Sequence, residues 1–247
     1  MRPLLFPNLP QADVGLCVMQ DCSGADVLRA RGVQVLYPAA CVTLPEETAS
    51  HADMLLCHTG GAAVFAEPSQ MFLAAALLAL GFDVRFSAAA GDVYPLDVPL
   101  NVAVGRSFAA GNFDHTDPSL LLALRISGRR LLKTKQGYAK CALCFVRDNA
   151  FITEDAGMAA VLSAVGMDVC LIAAGDVRLS GRHHGFFGGA AGLIAPDVLA
   201  VNGELKRHRD DRKIIGFLKK YGVAPLELAQ GDIQDIGGIL PLMEGKQ

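Results

Sequence analysis

Tryptophan is missing from this chain, aromatic residues make up only 6% of it and charged residues only 19%. Neither sign of charge dominates: 22 Lys and Arg stand against 25 Asp and Glu, for a net charge of −3. A balance so close to neutral excludes the broad basic field that nucleic-acid binding uses, so no nucleic-acid partner is expected. The densest basic cluster, Lys206, Arg207, His208 and Arg209 with Arg212 and Lys213, is broken up by acids at 204, 210 and 211 and reads as a solvated helix face. The seven cysteines are odd in number and lack the spacing of a disulfide scaffold, and no charged-then-apolar leader opens the sequence, so a reducing cytoplasm is expected. Long apolar runs are lacking as well. The longest, residues 68–82, contains Pro, Ser and Gln and falls short of the ~20 residues that span a bilayer. It reads as a buried helix, and no membrane partner is expected. Neither a G-x-G-x-x-G after a strand nor a G-x-x-x-x-G-K-[ST] phosphate loop occurs, so no nucleotide cofactor is signalled.

What the chain does have is apolar mass, 52% of its residues, and 26 glycines placed with a period. Gly32, Gly81, Gly128, Gly166 and Gly222 each follow a short helical stretch and precede a run of β-formers: 33–38, 82–87, 129–134, 167–172 and 223–228. A glycine just past a helix end adopts the left-handed conformation without a Cβ penalty. Repetition at this interval marks units that cannot bury their own apolar face, and five of them suggest a closed ring. Each unit reads as an extended hairpin, a helix, the glycine and a further strand, which places the chain in the α/β class. Helix starts are expected at Pro68-Ser69, Asp117-Pro118, Asp155 and Asp210-Asp211. One unit is split between the ends: a strand at 14–19 and a helix from Gly24 pair with a last strand over Ile236–Met243, hiding both sheet edges. No linker interrupts the sequence, so residues 1–247 are expected to form one domain. The segment 174–192 holds six glycines and reads as a close backbone approach to a ligand, a lid, or only a long connection.

Two segments carry chemistry. His51 and Asp53 are two apart, so on an extended segment they project to one face, and a carboxylate beside an imidazole suits acid/base work. Cys57 and His58 read as core or hairpin residues. In the second segment Cys141 follows a glycine turn, Tyr138 and Lys140, and then enters the apolar run CALCFV as a strand. An adjacent cation is expected to lower its thiol pKa. Cys144, three residues on, then faces the other way, which disfavours a C-x-x-C redox or zinc site; zinc held by these cysteines with His183 and His184 is the remaining metal reading.

In a five-unit α/β ring these segments resemble those of the pentein fold, a five-bladed αβ propeller shared by the guanidino-group-modifying enzymes: arginine and agmatine deiminases, dimethylargininase and amidinotransferases. More closely the chain resembles an uncharacterised bacterial family of that fold. Gly137-Tyr138-Ala139-Lys140-Cys141 is similar to the G-G-x-x-C of those enzymes, His51-Ala52-Asp53 to their H-x-D, and Gln234-Asp235-Ile236-Gly237 to their R-D-x-G strand. The order is cyclically shifted, Gln234 stands where an arginine is usual, and their E-G-G segment has no match between residues 14 and 50, where Glu46 and Glu47 are the nearest acids. The resemblance implies a cysteine-dependent hydrolase or amidinotransferase acting on a small cationic guanidine or amidine through a covalent thiouronium. Cys141 would be the nucleophile and His51 the proton carrier, with Asp53, Asp235, Tyr138 and Lys140 binding substrate and no metal or organic cofactor. The alternative is a binding protein on the same ring without chemistry. Homodimerisation is left open by the sequence.

Overall fold

All five glycines expected behind helices have positive φ, from 61° at Gly222 to 89° at Gly81, and each hands its helix over to a strand. The computed structural model describes residues 1–245. The chain starts with β1 (Arg2–Pro3), β2 (Val14–Val18), α1 (Gly24–Ala30) and β3 (Gln34–Leu36). A single helical turn, α2 (Ala52–Leu55), leads into β4 (Leu56–Gly60), β5 (Ala63–Ala66), α3 (Met71–Ala79) and β6 (Asp83–Phe86). The third unit is β7 (Ala103–Val104), β8 (Phe108–Gly111), α4 (Pro118–Ile126) and β9 (Arg130–Lys133). The fourth is β10 (Cys144–Arg147), β11 (Ala150–Thr153), α5 (Ala156–Ser163) and β12 (Asp168–Leu171). The fifth is β13 (Ala191–Ala195), β14 (Val198–Val201), α6 (Asp211–Lys220) and β15 (Ala224–Glu227), after which β16 (Leu240–Glu244) returns to the beginning.

Five small sheets result, and one pattern repeats in each: an antiparallel pair, then a helix crossover to a third strand parallel to the second. In the first sheet the pair is β16 with β2, so the two ends of the chain close the ring, and β1 adds to the free side of β16. The inner strands are buried on both faces, as the runs CFVR, AFIT and VLAV require, whereas third strands such as β6 and β15 are largely exposed. Neighbouring sheets lock through large side chains. Phe151 meets Phe108 of the neighbouring sheet edge to face at a centroid distance of 5.5 Å, and Phe145 of its own sheet at 5.2 Å. This is the five-bladed αβ propeller of the pentein fold.

Several local expectations are corrected. Asp117 and Asp155 cap α4 and α5 through backbone N–H groups as expected, but Asp210 spends its carboxylate on the Ala173 N–H, 2.7 Å away, and caps nothing. Helix α3 starts at Met71, because the Glu67 carboxylate holds the Ser69 N–H in a turn at 2.7 Å. It is a surface helix rather than a buried one: Leu73, Ala74 and Leu77 face inward while Phe72 is 90% exposed. In the basic cluster Lys206 and Arg207 pair with Glu204 and Arg209 with Asp176 at the surface, but His208 is buried. The last strand begins at Leu240 rather than Ile236, since Gly237 and Gly238 take positive φ and end any extended run. Cys57 and His58 are buried in β4 as expected. No helix among the described residues is long and apolar enough to cross a membrane.

Candidate active site

The stretch of chain that leads into the first strand of each blade runs through the middle of the ring, so five such stretches meet: 51–55, 99–102, 138–143, 186–190 and 235–239. They differ from the strands in carrying polar side chains. His51, Asp53, Asn101, Lys140 and Asp235 are all buried there, along with Cys141.

His51 and Asp53 do not share an extended face. His51 sits just ahead of α2 with extended backbone, and Asp53 is inside that helical turn, where its N–H donates to the Gly237 carbonyl at 3.0 Å. The two side chains therefore diverge. His51 Nδ1 faces Asp235 Oδ1 at 3.8 Å, and its Nε2 has no protein partner. Asp53 is fully buried; among the described residues its carboxylate oxygens have no nitrogen or oxygen donor, and the carboxylate acts on the Cys141 thiol instead. Gly237 packs directly on His51, where a Cβ would collide with the imidazole, and this close approach explains a glycine two residues after Asp235. The segment 234–237 is not a strand. Asp235 instead accepts the N–H of Gly237 at 3.0 Å on one oxygen and that of Phe186 at 2.8 Å on the other.

Those contacts explain the glycine-rich segment 174–192. Its backbone approaches the centre of the protein rather than an outside ligand: a Cβ on Gly185 or Gly189 would strike Asp235, and one on Gly188 would lie 2.6 Å from the Cys141 carbonyl oxygen. The earlier part of the same segment bends outward and supplies Arg182, His183 and His184 to a cavity rim.

Cys141 is not a strand residue either. It lies in a turn closed by the Ala142 N–H donating to the Tyr138 carbonyl at 2.9 Å, and β10 starts only at Cys144. Asn101, from the blade between those of His51 and Cys141, donates to Cys141 Sγ at 3.1 Å. The thiol pKa is raised well above its ordinary value, by burial first and then by the carboxylates of Asp53 and Asp235; this reverses the lowering expected from Lys140. Lys140 turns away, with Nζ 3.5 Å from the Gly188 carbonyl, on the Gly238 side that also holds an Asp53 oxygen. Burial also raises the pKa of Asp235, with His51 opposing the rise. Tyr138 donates its hydroxyl to Asp97 at 2.5 Å, and burial and that carboxylate raise its pKa.

Cys141, His51, Asp235 and Tyr138 line one cavity of about 170 Å³, together with Met54 and Phe186 on its apolar walls. Asp53 and Lys140 do not line it; they lie behind Cys141. Cys144 is buried in β10, where burial pushes its thiol up to about 12, and no group of three His, Cys, Asp or Glu among the described residues is arranged to hold a metal. Glu47 is tied to Arg182 at the rim. Sequence reasoning missed Asn101, Asp97 and Glu154. Asn101 had a signal, as the lone polar residue in the apolar stretch 98–104; the other two had none.

Solved structures bear out the five-bladed fold. Inosamine-phosphate amidinotransferase StrB1 from Streptomyces griseus superposes with a TM-score of 0.57 at 13% identity, over 100% of this chain and 98% of that one. An agmatine deiminase from C. jejuni gives 0.53 at 10% identity, over 90% and 91%. SxtG, an amidinotransferase of the saxitoxin biosynthetic pathway from Microseira wollei, gives 0.51 at 9% identity, over 89% and 91%. The chain itself belongs to the family of unknown function DUF6873, whose family model matches residues 20–240. No curated protein matches it.

Proposed function

We propose that this protein is a cysteine-dependent hydrolase or amidinotransferase of a small guanidine or amidine cation, with residues 1–247 acting as one domain. The observation that carries this reading is the meeting of Cys141, His51 and Asp235, from three blades, on one cavity. A carboxylate on the cavity wall, with a second one behind Cys141, favours a planar cation with several N–H donors. In this reading Asp235 grips the cation and Tyr138 covers its plane, while the Asp53 carboxylate acts at longer range from behind Cys141, with the Lys140 ammonium near it.

The cation's charge relieves the two carboxylates' hold on the Cys141 proton, and the proton passes to His51. The thiolate then attacks the central carbon and forms a C–S bond. His51 returns the proton to the departing nitrogen as the C–N bond breaks, leaving an S-linked thiouronium. Water or an acceptor amine, deprotonated by His51, adds to that carbon and expels the thiolate. Hydrolysis gives a urea-type product, and transfer gives a new guanidine.

The test is turnover and thermal stabilisation with arginine, agmatine, guanidinoacetate and methylated arginines, in wild type and Cys141→Ser. Release of amine or ammonia that disappears in Cys141→Ser supports the reading. Stabilisation only by anionic or neutral metabolites overturns it. The burial of Cys141 and Asp53 favours a second reading, a binding protein on the same ring, which would be stabilised by a cation equally in both proteins with no turnover.

A further inference from the structure

Asn101 is 1% exposed, and a buried amide is costly unless each of its hydrogen-bonding groups is met. Here they are. Oδ1 accepts the main-chain N–H of Lys140 at 2.7 Å and that of Cys141 at 3.4 Å. Nδ2 donates to the Asp53 carbonyl at 3.1 Å, and it lies 3.1 Å from Cys141 Sγ and 3.2 Å from Met54 Sδ. The reverse amide orientation is excluded, because it would set oxygen against the Asp53 carbonyl and the amino group against two N–H donors. One side chain thus ties the turn of Cys141 to the helix turn of Asp53.

We propose that Asn101 is a positioning residue for Cys141, holding the sulfur in place and presenting it with an N–H that binds a thiolate more strongly than a thiol. The inference rests on the reading of Cys141 as the nucleophile. Every other charged or titratable group near the sulfur is differently placed. Asp53 and Asp235 oppose a thiolate, and Lys140 directs its ammonium to the Gly188 carbonyl. His51, Tyr138, Arg182, His183 and His184 line the cavity beside it. Asn101 reaches the sulfur from the adjoining blade, and it is the neutral donor that works against the two carboxylates.

The experiment needs no substrate, so it stands apart from whether a guanidine is turned over. The ultraviolet thiolate absorbance present in the wild type and missing in Cys141→Ser gives the titration of this one thiol against pH. In Asn101→Ala the midpoint is expected to rise by about one pH unit, leaving roughly tenfold less thiolate at a fixed lower pH. In Asn101→Asp, which keeps the shape but turns an oxygen toward the sulfur, it rises further. A residue that only packs would lower the melting temperature and leave the midpoint where it was, and that result overturns the proposal. The wild type alone also decides: the side-chain amide protons of Asn101 should shift in NMR spectra with the same midpoint as the thiolate. Amide protons that ignore the thiolate titration, or a Cys141 that never ionises below the pH at which the fold is lost, would equally overturn it.

Discussion

His51 Nδ1 stands 3.8 Å from Oδ1 of Asp235, an oxygen that also accepts the Gly237 N–H, while the other oxygen of that carboxylate accepts the N–H of Phe186. The pair is oriented without help from a ligand. Asp235→Asn keeps the shape and removes the charge, so affinity for a guanidinium cation should fall by roughly tenfold or more, since ~1.4 kcal/mol is a factor of ten. Calorimetry on both proteins reads this, and equal affinities would remove Asp235 from the binding site.

Because burial, and after it two carboxylates, raise the Cys141 pKa, the free thiol should be sluggish toward neutral alkylating reagents at neutral pH and speed up as pH rises past the ordinary thiol range. A cationic haloacetamidine brings the charge that offsets those carboxylates. It should modify Cys141 first among the seven cysteines, and relative to a free thiol by about tenfold or more over a neutral haloacetamide. Peptide mass analysis after limited labelling checks it; preferential labelling of Cys17, Cys22 or Cys170 would remove Cys141 as nucleophile.

Glu154 sits behind Phe187, whose N–H it accepts at 2.8 Å, and its other oxygen is closed off from solvent without a partner. Burial raises its pKa to about 8. A carboxyl that stays protonated in the fold but ionises at its usual value when unfolded costs stability as pH climbs between those two values. Glu154→Gln should therefore melt higher than wild type near pH 8, by about 1–2 kcal/mol or roughly 2–6 °C, with little difference at pH values below the usual carboxylate range. Parallel melting curves at all pH values would refute this assignment.

The half-buried Tyr138 and the buried Asp97 form a second pair, and the remaining Asp97 oxygen has no partner among the described residues. Tyr138→Phe takes away the one donor Asp97 has from a side chain. The expected cost is about 1–3 kcal/mol, observable as a lower denaturation midpoint. If the midpoint is unchanged, water serves Asp97 instead.

Gly189 allows Asp235 its position, since a Cβ there would occupy the carboxylate's place. Gly189→Ala should displace Asp235 and cost cation affinity about as much as Asp235→Asn, a comparison calorimetry can make directly. An alanine variant that binds as wild type does would show that the loop yields and the carboxylate stays.

Local rules made much of this protein readable in advance. Glycine at a left-handed helix end, Asp117 and Asp155 at helix starts, and apolar runs too short for helices all act within a few residues. Five repeats of one incomplete unit then demand a ring. The same local rules misled where residues touch partners far along the chain. His51-Ala52-Asp53 reads as an extended pair, yet Asp53 is drawn into a helical turn whose N–H meets Gly237, so the two side chains part. Lys140 beside Cys141 reads as an activating cation, yet the turn aims the ammonium at Gly188 and leaves the thiol to two carboxylates.

By itself the sequence determined the five blades, their strand and helix order, the closure through both termini, and the short list of reactive side chains, because each depends on spacing and near-neighbour sterics. Only the tertiary structure decided which of those side chains face one another. Five central stretches from five blades meet at the ring axis, and burial there, together with carboxylates and an amide from other blades, sets the position and proton affinity of Cys141. Electrostatic energy in a buried site depends on distances across the ring, and those exist only once the ring has closed.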